Sequence, residues 1–86
     1  MEVLLSSIAK NDLQLLMRIF KAQEKNNEKE FLEDVKNSIQ NIIIKSEKLD
    51  IKSTEIQVYL AENFPISIHY IFEENNTLFI TAIFKV

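Results

Sequence analysis

The apolar residues in the first half of the chain recur with the period of an α-helix. A short apolar run, EVLL, predicts a strand and ends at Ser6 and Ser7. Either serine suits the start of a helix, because its hydroxyl accepts a hydrogen bond from an early helical N–H. The next apolar residues share one helical stripe: Ala9, Leu13, Leu16 and Phe20. The beginning of the chain therefore predicts a strand followed by an amphipathic helix.

A second stripe with the same period predicts a helix over residues 28–46. Its apolar positions are Phe31, Leu32, Val35, Ile39, Ile42 and Ile43. Asn26 and Asn27 mark the turn between the helices, because asparagine tolerates positive φ in a chain without glycine. Asn27 with Glu30 also matches an asparagine variant of the capping box. Two amphipathic helices joined by so short a turn form an antiparallel helical hairpin.

The period changes to two from Ile56 onward, which is typical of strands. The three runs are IQVYL, PISIHYIF and TLFITAIF, and EENN between the last two predicts a hairpin loop in which asparagine replaces glycine. The face predicted to meet the helices carries Ile56, Val58, Leu60, Ile68, Tyr70, Leu78, Ile80 and Phe84. The chain is thus predicted to form a single domain over residues 1–86 with an α+β fold. In this fold, of order β-α-α-β-β-β, the helical hairpin packs on one face of a small antiparallel sheet.

Strict alternation places four large apolar residues on the opposite face of the sheet: Tyr59, Ile71, Phe79 and Ile83. A sheet face in contact with water would normally be polar, and exposed apolar patches mark interaction sites. We therefore predict that these four residues bind a partner protein. The alternatives are that a loop of the chain or a second copy of the protein covers them.

Composition narrows the chemistry available to this chain of 86 residues. It has no cysteine and one histidine, so we predict no metal site. It has no glycine, which excludes the glycine-rich loops that hold the phosphates of nucleotides, and we predict no cofactor. The absence of an apolar run of about 18 residues and of a signal-peptide pattern predicts a cytoplasmic protein without a membrane span.

The basic residues are concentrated in the first part of the chain. Nine of the ten lysines and arginines lie at or before Lys52, and the formal net charge is −3. Such a balance does not favour a polyanionic partner. Four lysines are the candidates for contact with a cellular target: Lys45, Lys48, Lys52 and Lys85. His69 is predicted on the outer sheet face without a charged neighbour in sequence, and we predict no catalytic residue.

The element order and three local motifs resemble the RelE/ParE superfamily of toxins from type II toxin–antitoxin modules. Ser6, Ala9 and the Asp12-Leu13 pair have the spacing of the family's first strand and helix. The segment EKEFLEDVKNSIQNI is similar to the family's second helix. FPISIHY, EENN and LFITAIFK are similar to its proline-led strand, polar turn and closing strand. The resemblance covers nearly the whole chain.

The ribonuclease branch of this family uses basic residues across the sheet and a histidine or tyrosine near the C-terminus. An ungapped comparison places Ser67 at the position of the strand arginine, and Lys85-Val86 at the terminal His-Tyr pair. The catalytic set of that branch is therefore not present. Since phosphoryl transfer needs stabilising charge where negative charge develops, the comparison favours a binding protein and leaves enzymatic activity an open question.

The ParE branch implies a growth-inhibiting toxin, associated with plasmid stabilisation, that binds DNA gyrase and is neutralised by a cognate antitoxin. The partners implied are the antitoxin protein and gyrase, with no membrane and no small-molecule cofactor. Two alternatives stay open. One is a RelE-like, ribosome-dependent mRNA endoribonuclease, and the other is a non-toxic degenerate homologue that keeps only the fold.

Overall fold

The computed structural model describes residues 1–23, 28–49, 55–73 and 76–86. Its elements, in chain order, are β1 (Glu2–Leu5), α1 (Ser7–Gln23), α2 (Glu28–Leu49), β2 (Gln57–Leu60), β3 (Ile66–Glu73) and β4 (Thr77–Lys85). The predicted order β-α-α-β-β-β and the α+β class are confirmed. The predicted turn at Asn26 and Asn27, with its capping box, lies outside the described residues.

The four strands form one sheet in the order β1-β4-β3-β2. The pairs β2–β3 and β3–β4 are antiparallel, whereas β1 pairs with β4 in parallel. The sheet is therefore mixed, and the expectation of a wholly antiparallel sheet is wrong for β1. The two helices carry the chain from β1 at one edge to β2 at the other, and such a crossover is what a parallel arrangement requires.

The loop between β3 and β4 shows how the chain turns without glycine. Asn76 has a φ of 59° and begins the return into β4. This is the left-handed region, where asparagine is several-fold enriched among residues that carry a Cβ atom. The predicted role of asparagine in this loop is confirmed at Asn76.

Both helices cover the same face of the sheet, and the core lies between the two layers. Phe20 of α1, Phe31 of α2 and Phe64, just before β3, form an aromatic cluster with ring centroids 5.0–5.5 Å apart. The buried carboxylate of Asp34 holds Phe64 in place, because it accepts hydrogen bonds from the backbone N–H groups of Phe64 (2.9 Å) and Asn63 (3.3 Å). Asp34 therefore fixes the segment through which the chain enters β3.

The start of α1 is joined directly to the last strand. The Ala9 N–H donates to Ser6 Oγ (2.9 Å), which confirms Ser6 as the helix cap. The same hydroxyl donates to the carbonyl oxygen of Thr81 (2.7 Å), and the Asp12 carboxylate accepts a hydrogen bond from the Ile83 N–H (3.1 Å). Ser6 and Asp12, which both belong to the N-terminal motif of the RelE/ParE resemblance, thus bind the backbone of β4 where the pairing of that strand is irregular.

The irregularity in β4 is a β-bulge. The pairing with β3 shifts register between His69 and Tyr70, and Thr81 is the extra residue on β4. An extra residue breaks the alternation of side chains between the two faces. Ile83 consequently lies in the core at 2% exposure, and Phe84 lies on the outer face at 50% exposure. The sequence-based placement of both residues is wrong, because it continued the alternation through the bulge.

The predicted orientation of β2 is also reversed. Tyr59 pairs with Ile68, which is fully buried, so Tyr59 lies on the side of the helices. Its hydroxyl accepts a hydrogen bond from Asn41 Nδ2 of α2 (3.1 Å). Because β2 is an edge strand at the rim of the helical layer, a tyrosine can bury its ring there and keep its hydroxyl bonded. The predictions that Ile56, Val58 and Leu60 face the helices and that Tyr59 faces away from them are therefore wrong.

Candidate binding surface on the outer sheet face

The sheet face turned away from the helices carries the candidate site, and we call it the outer face. Residues that pair directly across strands share a face, so the register defines its large apolar members: Leu4, Val58, Leu60, Ile71, Phe79 and Phe84. Leu60 is 64% exposed, Val58 54%, Phe84 50% and Leu4 46%. The outer face is therefore an apolar surface in contact with solvent, and it includes two of the four residues that the alternating pattern placed there, Ile71 and Phe79.

Two polar side chains lie inside this apolar surface. Ser67 Oγ is 3.3 Å from His69 Nε2, and the imidazole meets the ring of Phe84 edge-on at a centroid distance of 4.8 Å. A serine–histidine pair acts as a nucleophile when a third group orients the histidine and donors stabilise the oxyanion. Among the described residues no carboxylate contacts His69. The contacts that are present make the pair part of the packing of the face.

One end of the outer face is acidic. Glu2 pairs with Thr77 on β4, and Thr77 pairs with Glu73 on β3, so the three side chains form one row across the sheet. Both glutamates are exposed. The ion pair found in the described part of the chain joins Lys21 to Glu28, on the helices. The two glutamates of the row thus face solvent without a cationic partner there.

The predicted target-contact lysines do not converge on the outer face. Lys85 pairs with the buried Ile66 and so belongs to the helix side of the sheet. Lys45 is on α2 and lines a small cavity beside Tyr70. Ile66 and Tyr70 are four residues apart on β3, which corresponds to about 13 Å along the strand, so these lysines lie at separate places. Of the other two, Lys48 lies in α2 and Lys52 outside the described residues.

The small cavity lies on the helix side of the sheet, between α2 and the strands β2 and β3. Its volume is about 50 Å³, well below the roughly 300–1,000 Å³ of a site for a small-molecule ligand. Within it the Tyr70 hydroxyl donates to Gln57 Oε1 (3.2 Å). Burial raises the pKa of the Tyr70 phenol above its usual value, and the neighbouring Tyr59 raises it further. This cavity is a feature of the packing between the layers.

No group of three or more histidine, cysteine, aspartate or glutamate side chains in residues 1–23, 28–49, 55–73 and 76–86 is arranged to hold a metal ion. None of the helices in these ranges has the length and apolarity needed to cross a bilayer.

Two of the four predicted partner-binding residues lie on the outer face, and two do not. Ile71 and Phe79 pair with each other there and are half-buried. Tyr59 and Ile83 face the helices. The prediction missed the most exposed apolar residues of the face, which are Leu4, Val58, Leu60 and Phe84.

No protein-family model and no curated protein sequence matches this chain. Among solved structures, a chain of the chromosomal ParDE toxin–antitoxin system from P. aeruginosa is similar over 100% of this chain and 96% of that chain, with a TM-score of 0.59 and 14% sequence identity. The chain has a RelE/ParE-like fold. At this identity most positions differ, so the RelE/ParE-like fold of this chain carries a surface of its own composition.

Proposed function

We propose that this chain is the toxin component of a type II toxin–antitoxin module of the ParE-like kind. It acts by binding a cellular target, for which DNA gyrase is the candidate, and a cognate antitoxin neutralises it. The fold similarity to a ParDE chain over the whole length supports the class of module. The observation that carries the choice of mechanism is the apolar outer face, on which the described strand residues include no lysine or arginine.

The distribution of charge on the sheet supports a mechanism in which the protein binds its target and does not cleave RNA. Cleavage of RNA needs cations close to the scissile phosphate, and loss of one stabilising donor costs about 3–4 kcal/mol of barrier in comparable sites. Within the four described strands the single lysine is Lys85, which lies on the helix side. His69 on the outer face contacts Ser67 and Phe84. These contacts support a surface that recognises a protein.

The antitoxin is proposed to cover the outer face. Full burial of a large apolar side chain contributes about 1.5–3 kcal/mol. Leu60, Val58, Phe84 and Leu4 are each about half exposed, so covering them contributes roughly 1 kcal/mol per residue. Together the four residues would contribute roughly 4 kcal/mol of apolar burial to a complex.

Expression without the antitoxin is the experiment that tests this function. Induction of the chain in a bacterial host is expected to stop growth, and co-expression of a small antitoxin encoded beside it is expected to restore growth. Protection should weaken for Leu60→Ser and persist for Ile8→Ser, because Ile8 is equally exposed (63%) but lies on α1. Unimpaired growth with soluble, folded protein would favour the non-toxic homologue.

Primer extension separates binding from RNA cleavage. Purified protein added to ribosomes translating a defined message is expected to leave the message intact, with a RelE-type toxin as the active control. Codon-dependent cuts would contradict the proposed mechanism and favour the endoribonuclease.

A further inference from the structure

The outer face combines an apolar field with an acidic end, and this combination indicates the chemistry of the segment that binds it. Glu2 and Glu73 lie in one row on either side of Thr77. The apolar side chains continue from this row to the opposite end of the strands, at Leu60 and Phe84. In the described strands no lysine or arginine shares this face.

We infer that the outer face binds an amphipathic helix of about four turns, with lysine or arginine on both sides of its apolar stripe at one end. The inference rests on the proposed function, in which this helix belongs to the antitoxin. The cationic end lies over Glu2 and Glu73, and the apolar stripe covers Leu4, Val58, Leu60, Phe79 and Phe84.

The dimensions of the face match a single helix. Six residues separate Glu73 from Ser67 on β3, which is about 20 Å along the strand. A helix with a rise of 1.5 Å per residue spans this length in about 13 residues. Each row of paired residues on this face spans three strands, which at about 4.8 Å spacing is about 10 Å, and a helix with its side chains is about 10 Å wide. A strand would instead pair with a sheet edge and leave the face open.

The acidic row determines the charge of the helix. Glu2 and Glu73 are two strand spacings apart, or about 10 Å, which is the distance between the two flanks of a helix whose end lies over Thr77 of β4 and whose other end lies over Ser67 of β3. Apolar residues alone would also accept a second copy of this chain. A second copy, however, brings an outer face with the same two glutamates, and the one lysine of its described strands, Lys85, lies on the helix side, so neither acid would gain a partner on that face.

Designed peptides test this inference on the intact chain. The probes are two labelled helical peptides of 14 residues, about the length of the face, with the same apolar stripe. One carries lysine and the other glutamate at the flanking positions of one end. Fluorescence anisotropy should show that the lysine peptide binds about tenfold more tightly, as two exposed ion pairs allow. Glu2→Gln combined with Glu73→Gln should remove this preference.

Matched variants locate the binding site on the protein. Leu60→Ser is expected to weaken the lysine peptide about tenfold, and Ile8→Ser, at the same exposure on α1, should leave binding unchanged. Circular dichroism confirms that both variants are folded. Equal binding of the two peptides, no binding, or insensitivity to Leu60→Ser would overturn the inference. A dimer in sedimentation experiments that Leu60→Ser dissociates would also overturn it.

These outcomes are independent of the test of the proposed function. A chain that arrests growth but does not prefer the lysine peptide keeps its function as a toxin and loses this inference. A chain that prefers the lysine peptide but does not affect growth keeps the binding surface and loses the proposed function.

Discussion

The bulge in β4 makes a sharp prediction about two adjacent residues, Ile83 and Phe84. Ile83 is 2% exposed, and replacing a buried isoleucine by alanine costs about 2–5 kcal/mol, because a cavity remains. Phe84 is half exposed, so Phe84→Ala loses roughly 1 kcal/mol of burial. The edge contact of its ring with His69 adds about 0.5 kcal/mol. Ile83→Ala should therefore cost about twice as much as Phe84→Ala, although phenylalanine is the larger side chain.

Urea denaturation followed by circular dichroism measures both free energies of unfolding. The controls are Phe79→Ala and Ile80→Ala, on the other side of the bulge. There the odd-numbered residue faces outward and the even-numbered one lies in the core, which is the reverse of the order at 83 and 84. A larger loss for Phe84→Ala than for Ile83→Ala would refute the face assignment and, with it, the composition of the outer face.

Three further predictions concern residues that hold the fold together. Asp34→Ala should lower the free energy of unfolding by about 2–4 kcal/mol in denaturant titrations, because the backbone N–H of Phe64 loses a charged acceptor. Asp12→Ala should cost about 1–3 kcal/mol, since the Ile83 N–H loses its acceptor, and Asp12→Asn should cost less. A phenol whose pKa is raised by folding contributes stability below its unfolded pKa of about 10 and loses it as the pH rises further. Stability measured from pH 9 to 12 should therefore fall less steeply for Tyr70→Phe than for the parent chain.

The helices and the hairpin loop could be predicted because their signals are local. The stripes of α1 and α2 persist over several turns, and the Ser6 cap acts within the first turn of α1. At Asn76, the positive φ is a requirement of the backbone at a single position. In these segments, the neighbours that determine the conformation lie within a few residues in sequence.

The faces of β2 and of the end of β4 could not be predicted, because distant residues determine them. Every position of β2 except Gln57 is apolar or aromatic, so alternation alone does not choose a face, and the register with β3 decides. The bulge at Thr81 is held by Ser6 and Asp12, which are 75 and 71 residues away from their β4 partners in sequence. The sequence comparison did single out Ser6 and Asp12, but their partners at Thr81 and Ile83 are evident only in the folded chain.

Pulse-labelling of DNA and protein synthesis after induction, in cells without the antitoxin, tests the central claim most directly. A toxin that binds gyrase is expected to cause double-strand breaks, an induced damage response and an early fall in DNA synthesis, while protein synthesis continues at first. An immediate halt in protein synthesis with intact DNA would contradict the account and favour the ribosome-dependent endoribonuclease.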